Sequence, residues 1–384
     1  MNANLSSFLN VSRWFAAFLV VIAHIRHLIW IDYADVIHKS IVVKGVYFIT
    51  GLGHEAVIIF FVVSGYLVGG LTLSKWLKHG PKLGAYVSAR FSRIYTVLIL
   101  ALLVGLGLDW VGLQWFNASE LYTNAAKYSM SVHPDIAADM TITTLVGNLF
   151  MLQNILVGTL GSNAPLWSLA YEWWYYCLFG LFALAFTASG NRRIVFGLLG
   201  LSVAVLLPPK LLLWGTVWLL GLAAHFWLKS KVWRPPTWFG FGIFGLAMIA
   251  SRLSHSSENT VQPDSYAVEF GRDFVLGLAY TVALVCTSRM TKSLAWPQLS
   301  AWLAEFSYST YLIHFPALLL IVALGSQVFN LGFHVQPDTS SMIYMVALTF
   351  AVYIICYAFA QLTERHTNFF RTKTDKFFVR TLQA

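Results

Sequence analysis

Residues 13–31 read RWFAAFLVVIAHIRHLIWI, and residues 54–74 read HEAVIIFFVVSGYLVGGLTLS. An α-helix needs about 20 mostly apolar residues to cross the hydrocarbon core of a bilayer, and each stretch supplies them. Comparable runs recur at roughly 94–112, 166–188, 194–207, 209–228, 238–251, 270–288, 301–325 and 342–362. The 384 residues are 58% hydrophobic and only 11% charged, too little charge to cover a soluble domain. The expected fold is all-α: a polytopic integral membrane protein with one membrane domain over 1–370 and a basic tail over 371–384. The first run has no small-residue cleavage site after it and reads as a retained span.

The net charge of +9 fits cytoplasmic loops rich in Lys and Arg better than nucleic-acid binding. A further apolar stretch, 143–158, tests the topology. If it does not cross and the N-terminus is inside, 18 of the 25 basic residues fall on the inner side, Lys292 among them. If it crosses, the inner total drops to 9. The positive-inside rule selects the first arrangement: ten crossings, both termini cytoplasmic, and 143–158 as a re-entrant or interfacial segment near the outer face. The acidic loop around Asp109, Glu120, Asp135 and Asp139 then lies outside. Pro208-Pro209 marks a tight hairpin between two spans. Cys177, Cys286 and Cys356 all sit in apolar runs without metal or disulfide spacing, and read as buried apolar residues.

Ionisable residues inside spans are costly, which makes them functional candidates. Arg13 and His24 are eleven residues apart, within about 20° of three full helical turns, so they share a face about 16 Å apart. A cation at the rim and an imidazole deep inside suit a long anionic ligand whose reactive end reaches inward. The plainer alternative is an arginine snorkelling to lipid phosphate and a histidine bonded to a neighbouring helix. His54 and Glu55 stand at the outer end of the second span, and Ser64-Gly65 reads as a helix-packing pair. Arg90 and Arg93 share a helix face at the cytoplasmic mouth, where guanidinium forks match phosphate oxygens or simply obey the charge rule. Glu172 lies a few residues into a span, among Trp167, Trp173 and Trp174. The aromatics suit an interfacial belt or a sugar-binding wall. Ser307 and His314 are seven apart, too far along one helix to form a nucleophile–base pair, and Pro316 follows them. No metal-ligand pattern and no phosphate-binding glycine loop is present. Physics alone leaves a multi-span transporter of a small or anionic solute open. Its mark would be repeated halves with broken helices, and no such repeat is visible.

Together these pieces resemble the bacterial membrane acyltransferase family 3. The matching motifs are Arg13…His24, Phe60-Phe-Val-Val-Ser-Gly-Tyr66, Arg90-Phe-Ser-Arg93, Asn148-Leu-Phe-Met-Leu-Gln153, Trp167-Ser-Leu-Ala-Tyr-Glu172 and Ser307-Tyr-Ser-Thr-Tyr-Leu-Ile-His314, in the family's order over roughly 7–370. The resemblance implies a bacterial inner-membrane O-acyltransferase of the stand-alone type. It would take an acyl group, typically acetyl, from acyl-coenzyme A to a hydroxyl of a glycan or glycolipid, without a metal. It assigns His24, Arg13 and Glu172 to catalysis, with His24 as general base, and Arg90, Arg93 and Arg13 to coenzyme A. His54, Glu55, Trp167 and His314 are candidates for the acceptor side. Many relatives carry two acids where this chain has Tyr171-Glu172, leaving Glu172 alone for any role of that pair.

Overall fold

A computed structural model describes residues 3–124, 136–256, 266–291 and 295–383. Asp135 and Lys292, which entered the charge reading, lie outside these residues, as does part of the acidic loop. Among the described residues the only extended pairings are two isolated bridges, Trp30 with Val335 and Gln153 with Val157; all regular structure is helical.

The chain opens with α1 (Ala3–Ile29), α2 (Ile41–Thr50) and α3 (Gly53–Ser64). A π-helical stretch, Gly65–Gly70, leads into α4 (Leu71–His79), followed by α5 (Leu83–Trp115). Further along the chain come α6 (Ile142–Leu149), α7 (Trp167–Thr187), α8 (Asn191–Leu206), α9 (Pro209–Lys229), α10 (Thr237–Ser256) and α11 (Tyr266–Cys286). The last group is α12 (Pro297–Glu305), α13 (Ser307–Phe329), α14 (Thr339–Leu362) and α15 (Thr367–Gln383). Among the described residues, nine helical segments are long and apolar enough to cross a membrane. α8, at 16 residues, falls just short. It presents Ile194, Leu198, Leu201 and Val205 outward, as a lipid-facing helix does.

Segment 143–158 is too short in helix to cross. α6 has eight residues, and the backbone then turns irregularly through Met151 and Asn154, both at positive φ. Its polar groups are covered by protein. Asn148 donates to the carbonyls of Thr144 and Gly158 and accepts from Leu160 N–H, and Gln153 donates to the Leu166 carbonyl. Irregular backbone at membrane depth requires this covering. The apolar run 301–325 is not one helix. It breaks at Phe306 (φ −110°, ψ 8°) into α12 and α13, a break that its unbroken hydropathy conceals. Residue 371, the expected start of a tail, lies inside α15. This helix packs along the start of α5 through Ser88–Thr374 (2.7 Å), Phe91–Phe378 and the backbone beside Gly84.

α1 runs through the middle of the bundle, against α3, α12, α13 and α14. Its C-terminal end is tied down by Trp30 Nε1, which donates to Ser341 Oγ (2.8 Å) in the first turn of α14. That turn is closed by a capping box between Asp338 and Ser341. α3 meets α9 at a crossing of small residues. A Cβ on Gly65 would stand 1.8 Å from the Trp218 carbonyl oxygen, and one on Gly221 would stand 1.9 Å from that of Val62. Only glycine admits such an approach, and in lipid this close packing substitutes for a hydrophobic driving force.

Candidate active site

Arg13, Arg90 and Arg93 converge on a cavity of about 980 Å³ between α1, α3, α5, α7, α12, α13, α14 and α15. That volume is at the upper end of the about 300–1,000 Å³ typical of ligand pockets. Its lining carries five arginines (the three named, Arg365 and Arg371) against three glutamates (Glu172, Glu305, Glu364). The excess of positive charge favours an anionic ligand.

The arginines differ in how far they are already committed. Arg93 is ion-paired to Glu364 (2.7 Å) and lies over the Tyr308 ring (5.0 Å). Glu364 also accepts from the backbone N–H and hydroxyl of Ser309 (both 3.0 Å), so its carboxylate caps the first turn of α13. Arg90 lies over the rings of Tyr86 and Tyr176, and its Nε is buried with no hydrogen-bond partner. Among the described residues Arg13 forms no ion pair or hydrogen bond through its side chain, although Arg93, Glu364 and Glu172 all act on it electrostatically. A half-buried guanidinium without an ion-pair partner has the charge and the free N–H groups that an anion would use.

Glu172 ends a hydrogen-bonded chain whose direction is fixed. Trp218 Nε1 can only donate, and does so to Ser64 Oγ (3.1 Å). Ser64 then donates to the Tyr176 hydroxyl (3.1 Å), and Tyr176 donates to Glu172 Oε1. Ser64, read from sequence as a packing residue, is the middle of this chain. Glu172 makes no hydrogen bond to His24.

The partner of His24 is His314. Their rings stack at 5.1 Å, and His24 Nδ1 is 2.9 Å from His314 Nε2. On its other side, His314 Nδ1 is 3.0 Å from the carbonyl oxygens of both Thr310 and Tyr311. Carbonyls only accept, so His314 Nδ1 carries the proton. The Nε2 of a neutral His314 is then an acceptor, and His24 Nδ1 is the donor. His24 Nε2 is left with its lone pair. His314 is fully buried and His24 is half-buried; neither lines the arginine cavity. Pro316 lacks the N–H that would meet the Leu312 carbonyl, and Asn163 Nδ2 replaces it (2.8 Å). The irregular segment before α7 thereby braces the turn of α13 that holds His314.

The other acceptor-side candidates lie elsewhere. His54 donates to Asp273 (2.9 Å), which also accepts from Trp214 (2.8 Å), and Glu55 accepts from Ser251 (2.9 Å). Trp167 packs edge-on to Phe61 and Tyr171. None of the three lines the cavity. Sequence reasoning passes over Glu364, Arg365, Arg371, Tyr308 and Tyr311 as site residues. A lone acid in a basic stretch is the available signal for Glu364. Arg365 and Arg371 are absorbed by the charge count alone.

A family model described as an acyltransferase domain matches residues 6–361. A curated protein named Acyltransferase MdmB, from Streptomyces mycarofaciens, is 23% identical over 374 residues, covering 89% of this chain and 86% of that one. No solved structure matches the chain significantly.

Proposed function

The chain belongs to the acyltransferase family whose model spans residues 6–361 and is a multi-pass membrane acyltransferase; from that premise we propose that it moves an acetyl group from acetyl-coenzyme A to a hydroxyl of a glycan or glycosylated acceptor. The observation that carries this reading is the His24–His314 couple, which leaves one imidazole nitrogen unprotonated beyond the end of an arginine-lined cavity.

In this proposal the arginine mouth faces the cytoplasm of a bacterial cell, as the charge count favours. Arg90 and Arg13 take the phosphates of coenzyme A first, because they hold no carboxylate. Arg93, steadied by Glu364, adds charge beside them. The pantetheine arm runs along α3 and α13. The Glu172 Oε2 has no hydrogen-bond partner among the described residues and offers an acceptor to an amide N–H of that arm. The acceptor hydroxyl comes from the outer side. A neutral imidazole with a free ring nitrogen can accept a hydroxyl proton as the oxygen attacks. His24 Nε2 takes the hydroxyl proton as the oxygen attacks the thioester carbonyl. The C–O bond forms, the C–S bond breaks, and the proton passes from His24 to the leaving thiolate. His314 acts through His24: it fixes the tautomer and ring plane, as a buried carboxylate does in a Ser-His-Asp triad. Attack in a ternary complex requires no covalent acyl-enzyme.

The test is binding and cleavage of labelled acetyl-coenzyme A by the full chain in nanodiscs. Arg90→Ala is expected to weaken binding by about 10- to 100-fold, the loss of one charge-assisted phosphate contact. Failure of folded wild-type protein to bind acetyl-coenzyme A would overturn the donor assignment.

A further inference from the structure

The cavity and the histidine couple are separated by a wall. Counting along each helix away from the arginines, the last lining residues are Phe60 on α3, Ser168 on α7 and Tyr311 on α13. These three close on one another. The Phe60 and Tyr311 rings meet edge to face at 5.7 Å. The Tyr311 hydroxyl donates to the Pro165 carbonyl (3.0 Å) and accepts from Ser168 Oγ (2.6 Å). His314 follows Tyr311 by less than one turn, with ring centroids 6.1 Å apart, and its Nδ1–H rests on the carbonyl of Tyr311 itself. On the proposed donor reading, the thioester must pass this wall to meet His24.

We propose that Phe60 and Tyr311 form a size-selecting gate between the donor cavity and the histidine couple, and that this gate restricts the enzyme to short acyl groups. The two leaves are unequal. Tyr311 is anchored at its hydroxyl by two partners on the α7 side and at its backbone by His314, so it is the fixed leaf. Phe60 has no polar group to anchor it and is only half-buried, so it is the leaf that turns. The opening is therefore one ring rotation wide. A two-carbon acyl group fits beside the thioester; a longer chain needs both leaves displaced, and moving Tyr311 also disturbs the carbonyl that holds His314. Chain length is thereby read at the wall, before the acyl group reaches His24.

The experiment compares acetyl-, butyryl- and hexanoyl-coenzyme A as donors for the full chain in nanodiscs, with water as acceptor and release of free coenzyme A thiol as the readout. Phe60→Ala is expected to raise the hexanoyl-to-acetyl ratio of kcat/KM at least about tenfold, the order of discrimination that a few methylenes bring in a shaped apolar pocket. Tyr311→Phe keeps the ring and releases its anchor, and is expected to raise the same ratio by a smaller factor. Phe60→Leu serves where Phe60→Ala lowers the thermal unfolding midpoint. An unchanged ratio in both folded variants, with acetyl turnover retained, overturns the gate and leaves the donor reading intact. If folded wild type neither binds acetyl-coenzyme A nor releases thiol from any of the three, the donor reading fails and the gate falls with it; if it binds all three and Phe60→Ala releases thiol from none, the gate alone is overturned.

Discussion

Replacing His24 by alanine is expected to lower acyl transfer by roughly 10²–10⁴-fold, the usual contribution of a general base, while acetyl-coenzyme A still binds. The separation follows from the geometry. The arginines that would hold the phosphates line the cavity, and His24 does not. Removing the imidazole takes away the proton acceptor and leaves the anion site untouched. His314→Ala is expected to cost less, about 10²-fold, because His24 would remain but lose its orientation. Its pH–rate profile should also change, since without His314 the His24 ring is free to present either nitrogen. Donor binding by equilibrium dialysis, beside single-turnover cleavage, checks both variants. Near wild-type turnover in folded His24→Ala would refute its role as base.

Gly221→Ala is expected to cost about 3 kcal/mol or more of stability, measured as a lower thermal unfolding midpoint in detergent. Its Cβ would lie 1.9 Å from the Val62 carbonyl oxygen and 2.6 Å from the Tyr66 nitrogen. Both are backbone atoms in the turn that begins the π-helical stretch, and neither can swing aside as a side chain would. The strain would fall on the segment carrying Ser64, Leu67 and Val68 along the cavity wall, so donor binding should weaken with stability. Gly245→Ala on α10 is the control. Nothing lies within 4 Å of its added Cβ, and in helical backbone the change should be neutral or stabilising by about 0.4–1 kcal/mol. Equal effects of the two substitutions would refute the crossing as the cause.

The spans were legible in the sequence because bilayer crossing is a matter of length and hydropathy, both local properties. The eleven-residue spacing of Arg13 and His24 was legible for a similar reason: one unbroken helix carries both. The break at Phe306 was not. Every residue from Ala301 to Tyr311 is compatible with one continuous helix, and beyond the turn α12 lies against α1, a tertiary contact that local sequence does not announce. The partner of His24 was hidden too. It comes from 290 positions along the chain, and only the fold brings the two rings together. Glu172, which the resemblance assigns to catalysis, makes no hydrogen bond to His24. Its hydrogen bond comes from Tyr176, one helical turn away on the same helix.

The cavity also imposes an order on the making of the protein. Arg13 and His24 lie on α1, which precedes in the chain the helices that carry Tyr308, Glu364 and Arg371, from α13 onward. Through most of synthesis, α1 therefore carries a cation and an imidazole with no lasting partners, in a medium that penalises both. A chain stopped before α13 would hold His24 without His314, leaving an imidazole in the bilayer without the ring that partners it in the complete bundle.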